Sequence, residues 1–326
     1  MPSFASQLKA DQRVWALANG FETSWFDERH GPSSHVLKPE HKEQNLFIAE
    51  WWRHISGKEH RWARALNSSQ CFAVNLFAPL TENQDLARSV IPDLFPGRSL
   101  SADHRVNIIF EYTPKDAARW LGEDPSEQGT QVDVAFEISA GGKPRGYVLV
   151  EVKLSEANFG GCRGPKGLDK NGKGNPNPEH CEKFGPIFNS PARHCWLAKA
   201  RGRLYWERME GGATPFSFGS IPAVAPCPFQ HGLYQVMRNR VLADAIVQET
   251  EADWADFAVC VHPGNNAANI LPTAVAGKED VLEAFREIAG KRSVLVVEPA
   301  AVIDAICTHA YGWRKWANWM RRRYVL

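Results

Sequence analysis

The chain has little net charge and no long apolar run. Its 38 Lys and Arg nearly cancel 37 Asp and Glu, leaving a net charge of +1. No global basic field is therefore present, and any contact with nucleic acid must come from local patches. No stretch approaches the ~20 apolar residues that span a bilayer, which argues against a membrane protein. The start, MPSFASQLKADQRVW, lacks the charged segment and apolar block of a secretion signal, so a cytoplasmic location is expected. No internal repeat and no C-x(2)-C pair occurs, which removes solenoids and the common zinc ribbons. What remains is a chain of 326 residues with 44% hydrophobic content, 12 Trp and 7 Cys. That is enough for a sizeable core, and the cysteines read as thiols or metal ligands rather than a disulfide framework.

Residues 1–38 read as an N-terminal arm ending in the polar stretch ERHGPSSH. Leu46, Phe47, Glu50, Trp51 and His54 recur at helical spacing and predict a helix over 39–56. Further helices are expected over 68–77, 197–210, 229–248, 279–289 and, with a break near Gly312, 300–324. Strands are expected over 106–112, 257–261 and 293–297. The Gly/Pro/Asn/Lys-rich stretch 157–178 is too poor in apolar residues to be anything but loop.

The richest segment is QVDVAFEISAGGKPRGYVLVEVKLSE, residues 131–156. Val132, Val134, Phe136 and Ile138 alternate with polar or small residues, as do Val148, Val150, Val152 and Leu154. Strand side chains alternate between faces, so each run has one apolar face. The intervening Gly, Lys, Pro and Arg suit a hairpin turn. Pairing the apolar faces brings Asp133, Glu151 and Lys153 onto one surface. Two carboxylates can hold a Mg²⁺ that keeps several waters, and a lysine beside them can orient a water against a phosphate.

Asp133 with Glu151-Val152-Lys153 resembles the PD-(D/E)XK nuclease superfamily, which includes restriction endonucleases and RecB-type nucleases. Val132 stands where the family's name places Pro. The order of helix, three strands, helix and strand is also similar to the restriction-endonuclease-like core. The resemblance implies an α/β fold with a mixed central sheet flanked by helices. It implies one domain over 39–326, carrying a cysteine-containing insertion at about 157–227. It implies a nuclease using Mg²⁺ or Mn²⁺, held by Asp133, Glu151 and the Val152 carbonyl, with nucleic acid, expected to be DNA, as substrate. A homodimer is a further expectation, since many such enzymes cut as dimers. The alternative is an inactive nuclease fold that serves as a binding or assembly module.

Three more features attach to this reading. Gln230 and Tyr234 form a Q-x-x-x-Y pattern continued by Arg238, one row of a helix face; RecB-type nucleases have a similar helix after their E-x-K strand. A further acid is expected from the helix before the first strand, with Glu50 first and Glu43 second, or Glu111 if its strand end reaches the metal. Cys162, Cys181, Cys195 and Cys227 have polar or helix-breaking neighbours, unlike Cys71, Cys260 and Cys307 in apolar runs. Their spacing is C-x(18)-C-x(13)-C-x(31)-C. Four such thiolates could bind Zn²⁺ or an iron–sulfur cluster, with His180 or His194 able to replace one. Basic side chains of the loop 163–173, and Arg314, Lys315, Arg321, Arg322 and Arg323 on the last helix, are candidates for phosphate contact.

Overall fold

The computed structural model of the chain describes all residues except Met1, Gln128, Lys170, Ala213, Thr214 and His231. Lys170 of the basic loop and His231 of the Q-x-x-x-Y segment thus lie outside the described residues. The strands are β1 (Arg105–Tyr112), β2 (Val132–Ala140), β3 (Lys143–Lys153), β4 (Trp254–Val261), β5 (Ile270–Val275), β6 (Lys278–Asp280) and β7 (Leu295–Val296). Five of them form one sheet in the order β1-β2-β3-β4-β7, and β5 and β6 form a separate ribbon. The β1–β2 and β2–β3 pairs are antiparallel, whereas β3–β4 and β4–β7 are parallel. The sheet is mixed, as expected. Gly141 and Gly142 turn the β2–β3 hairpin with φ of 60° and 79°, the left-handed pair that a two-residue turn requires.

Helices cover both faces. On one lie α1 (Phe4–Ala18), α2 (Ser69–Phe77) and α3 (Gln84–Leu94), together with α11 (Pro299–His309) and α12 (Arg314–Tyr324). They close over Val134, Phe136, Val148, Val150 and Val152. On the other lie α4 (Ala117–Leu121), α5 (Phe184–Asn189), α6 (Pro191–His194), α7 (Trp196–Arg201), α8 (Tyr205–Gly211), α9 (Tyr234–Glu249) and α10 (Val281–Ala289). This second core holds Ala135, Leu149, Phe257 and Val259. Caps mark several starts: Ser68 accepts from the Cys71 N–H and Asp280 from those of Leu282 and Glu283. No helix among the described residues is long and apolar enough to cross a membrane.

Several expected elements differ. The helix over 39–56 is two 3₁₀ helices, Pro39–Asn45 and Ala49–His54. Between them Leu46 and Ile48 are extended, and the Phe47 N–H donates to the Asn75 side chain at 2.8 Å instead of to a helical carbonyl. The helix over 197–210 is two, α7 and α8, separated at Gly202, which has a φ of 68°. The helix over 229–248 begins only at Tyr234, because Gly232 takes a φ of 110°. The last helix breaks near Gly312 as expected, but Arg323 does not face solvent. It is 1% exposed, hydrogen-bonds Asn45 and lies over the Trp319 ring at 4.8 Å. The guanidinium's weak hydration suits it to this aromatic setting. Arg321 is paired with Asp304 at 2.5 Å.

Residues 1–38 contribute to the first core through Leu8. Trp15 of α1 meets Trp319 of α12 edge-on at 5.5 Å. The same layer is tied by Asn75, whose side-chain amide donates to Asn45 O at 3.1 Å and Tyr324 Oη at 2.9 Å, while its main-chain carbonyl accepts from Trp316 Nε1 at 2.7 Å. Asn75→Ala should therefore cost about 1–3 kcal/mol for each buried group left unpaired. Denaturant unfolding should show a clear loss of stability, whereas a change at exposed Val14 should not.

Candidate active site

The register of β2 and β3 places Val134 opposite Val150, so Asp133 and Glu151 stand across from each other on adjacent strands. Both project to the second face, with Lys153 two residues further along β3. Glu151 is 1% exposed. Its Oε1 accepts from Lys153 Nζ at 2.7 Å and from Gln235 Nε2 at 2.5 Å, and its Oε2 accepts from Asn239 Nδ2 at 2.8 Å. Lys153 Nζ also donates to Gln235 Oε1 at 2.9 Å. Asp133 Oδ2 accepts from the Val152 N–H at 2.6 Å, so the motif's middle residue contributes its main chain to the site.

Glu111 joins these acids. It lies on β1 between residues paired to Val132 and Val134, and it takes a φ of 51°. A left-handed glutamate in a strand is strained, and such strain tends to sit where a side chain must be aimed. Glu111 is buried. Its carboxylate accepts from Gln70 Nε2 at 2.8 Å and lies 3.0 Å from His60 Nε2. The Lys58 ammonium donates to the Phe110 and Glu111 carbonyls, each at 3.2 Å, and holds the distorted strand end. Glu50, the first-named candidate for the extra acid, is exposed on the 3₁₀ turn Ala49–His54 and is not among the residues lining the cleft. Glu43 is also exposed. Of the three acids the sequence offers, the strand residue Glu111 is the one the fold puts beside Asp133.

The electrostatics follow from three carboxylates sharing a half-closed site. Burial, then the charge of Glu151, push the Asp133 carboxyl well above the usual carboxylate range, while Lys153 pulls it back. Burial opposes the charged form of Lys153, but Glu151, Asp133 and Glu156 outweigh it and hold the ammonium above an ordinary lysine. The hydrogen bond to Glu111 raises the His60 pKa above 6.5. The oxygen-rich donor set suits a hard divalent cation, and Mg²⁺ needs only one or two carboxylates because it retains water. Among the described residues, no three His, Cys, Asp or Glu side chains are grouped around one ion position. The carboxylates that could hold such an ion are Asp133 and Glu151, opposed across β2 and β3, with Glu111 nearby.

The acids open into a cleft of about 1010 Å³. Its walls include Glu111, Asp133, Gln235 and Asn239 at the floor and Arg163, Arg201, Arg203 and Arg238 further out. Arg238 donates to Thr130 Oγ1 at 2.9 Å and to Glu123 at 3.2 Å, and Tyr234 lines the same wall. Gln230 does not. It precedes α9, and its amide donates to Glu182 at 2.7 Å. The helix row that meets the motif is Gln235 and Asn239, one residue beyond the Q-x-x-x-Y pattern. Two amides four apart inside an apolar helix were the signal in the sequence for it.

A sequence model of the family described as "Restriction Endonuclease associating with ARP" matches residues 22–325. The chain belongs to this family. No curated protein and no solved structure matches the chain. For this restriction-endonuclease family member, the mixed five-stranded sheet flanked by helices is the expected restriction-endonuclease-like fold.

Two outcomes follow from the charge balance. An acid with a raised folded-state pKa penalises folding at every pH above that pKa, and the penalty fades as pH falls towards the unfolded value of 3.8. In metal-free protein at neutral pH, Asp133→Asn should therefore raise the melting midpoint by on the order of a few °C, and the gain should vanish in acid. Separately, a titration of His60 by NMR should show its pKa falling in Glu111→Gln. An unchanged His60 pKa would contradict the 3.0 Å pairing.

Proposed function

We propose that the chain is a Mg²⁺- or Mn²⁺-dependent nuclease that hydrolyses phosphodiester bonds in DNA. The observation that carries this reading is the convergence of Asp133, Glu151 and Lys153: Asp133 and Glu111 line an arginine-walled cleft, and the buried Glu151–Lys153 pair lies next to them. Asp133 and Glu151 would hold the cation, with the Val152 carbonyl as a further donor. A bound divalent cation supplies Lewis acidity and neutralises charge developing on the phosphate.

The protein's own groups do the rest. Lys153 stays protonated at neutral pH because the surrounding carboxylates favour its charge. It therefore acts as a cation that orients the attacking water and offsets negative charge, not as a base. Gln235 and Asn239 hold the Glu151 carboxylate in one orientation, which keeps its oxygens aimed during the reaction. Arg163 and Arg238 offer planar, charged donors to the backbone phosphates on either side of the scissile bond. With a net charge near zero, the four arginines of the cleft wall are the local positive patch available to a phosphate backbone. The family description names an association with ARP, and action together with that partner is part of the same proposal.

Purified protein should cleave plasmid or linear DNA with Mg²⁺ or Mn²⁺ and not with EDTA. Asp133→Asn, Glu151→Gln and Lys153→Ala should each lower the rate by about 10²-fold or more. Glu50→Gln should leave it unchanged. Full activity in Lys153→Ala would end the catalytic assignment. DNA binding without turnover under any metal would instead favour the non-catalytic module, in which the Glu151 contacts serve only to pin α9 to the sheet.

A further inference from the structure

Between β3 and α9 the chain runs through a region whose longest described helix is the seven-residue α8. Four cysteines lie there, and the fold brings their segments together. The Cys162 N–H donates to the Phe229 carbonyl at 2.7 Å, and the Cys227 N–H donates to the Cys181 carbonyl at 2.8 Å. A methyl placed on Gly164 would lie 3.3 Å from Cys162 Sγ, 3.8 Å from Cys181 Sγ and 3.9 Å from the Leu197 side chain, two residues beyond Cys195. A methyl on nearby Gly167 would lie 3.5 Å from the ring of Trp196, which follows Cys195 directly, so the fourth cysteine's segment borders the same turn. None of the four is in a disulfide. Cys181 and Cys227 are buried.

A main-chain donor also faces one of the sulfurs. The Gly164 N–H donates to Cys162 Sγ at 3.2 Å. It runs from residue i+2 back to cysteine i. Such bonds favour thiolate over thiol and are the outer support that metal ligands use. A buried apolar thiol has no need of them. The other cysteines lack this setting: Cys71 donates to the Ala63 carbonyl at 3.1 Å, and Cys260 is buried in β4.

We propose that Cys162, Cys181, Cys195 and Cys227 form a tetrahedral Zn²⁺ site that ties the irregular segment to the nuclease core. Tetrathiolate coordination is a closed structural site, and its binding energy is folding energy for the segment around it. Among the described residues no three such side chains share an ion position as they stand, so uptake has to draw the sulfurs together by side-chain rotation. The consequence reaches the cleft. Arg163 follows Cys162 directly, Arg201 ends the helix that Cys195 precedes, and Arg203 lies two residues further on, so the zinc would set the positions of three arginines on the cleft wall.

Elemental analysis of the full chain purified without chelator should give about one zinc per chain. Replacing it with Co²⁺ should produce the visible absorption bands of tetrahedral cobalt bound to thiolate. Cys162→Ser and Cys195→Ser should lose the zinc, whereas Cys307→Ser should retain it. Asp133→Asn should also retain it, which separates this site from the catalytic reading: a full zinc complement in an inactive protein leaves the present proposal standing. Because a cysteine variant could misfold, the Co²⁺ spectrum of the unaltered chain is the independent measurement. Zinc-free protein that gives no thiolate–cobalt bands overturns the site. Iron with acid-labile sulfide overturns the zinc assignment, and zinc retained in a Cys162→Ser/Cys227→Ser double variant overturns the ligand set.

Discussion

A carboxylate buried in the middle of a sheet must be met by donors, and Glu151 organises this molecule around that requirement. Leaving such a charge unpaired costs far more than one weak contact can return. Lys153 answers from the same strand, two residues on. Gln235 and Asn239 answer from α9, on successive turns of one helix face. These four side chains fix the rotation of α9 against the sheet and the depth at which it packs. The rest of the second layer then follows α9, with Leu233, Val236, Met237 and Val241 buried on it.

The same requirement gives the site its excess of negative charge. Glu151 is well supplied with partners, whereas Asp133 accepts from the Val152 N–H and feels the charges of Glu151 and Glu111. Polar networks that are only partly compensated are unfavourable for folding alone and useful for binding a cation. The strained Glu111, braced by Lys58, Gln70 and His60, fits that account. Three side chains hold this strand end and its carboxylate where stability alone would have favoured an apolar residue. The irregular segment over the outer cleft meets a related problem. Gly161 lets it approach the main chain at Gln230, where a Cβ would fall 2.3 Å from the carbonyl oxygen.

Much of the core was legible in residues 131–156. Strict alternation placed Asp133, Glu151 and Lys153 on one face, and the hairpin register is the one that alternation demands. Other elements were not legible, for identifiable reasons. The spacing of Leu46, Glu50 and His54 imitates a helix, but Asn75, remote in sequence, captures the Phe47 amide and the segment becomes two 3₁₀ turns. Gln230 and Tyr234 have the spacing of one helix face, but Gly232 delays the helix start, and the working row moves to Gln235 and Asn239. Arg323 reads as part of a solvated basic face, yet the aromatic side chains of α1 and α12 enclose it.

The sequence by itself determined the hairpin, its turn and the sharing of a face by two acids and a lysine, because a period of two and a pair of glycines are local properties of the chain. Only the tertiary structure decided which further residues join them. Glu111, His60, Gln235 and Asn239 reach the motif from β1, a loop and α9, and no local pattern encodes which parts of a chain meet. Their selection rests on burial: once the sheet is covered on both faces, each charge enclosed between the layers has to find its partner among whatever the packing brings near.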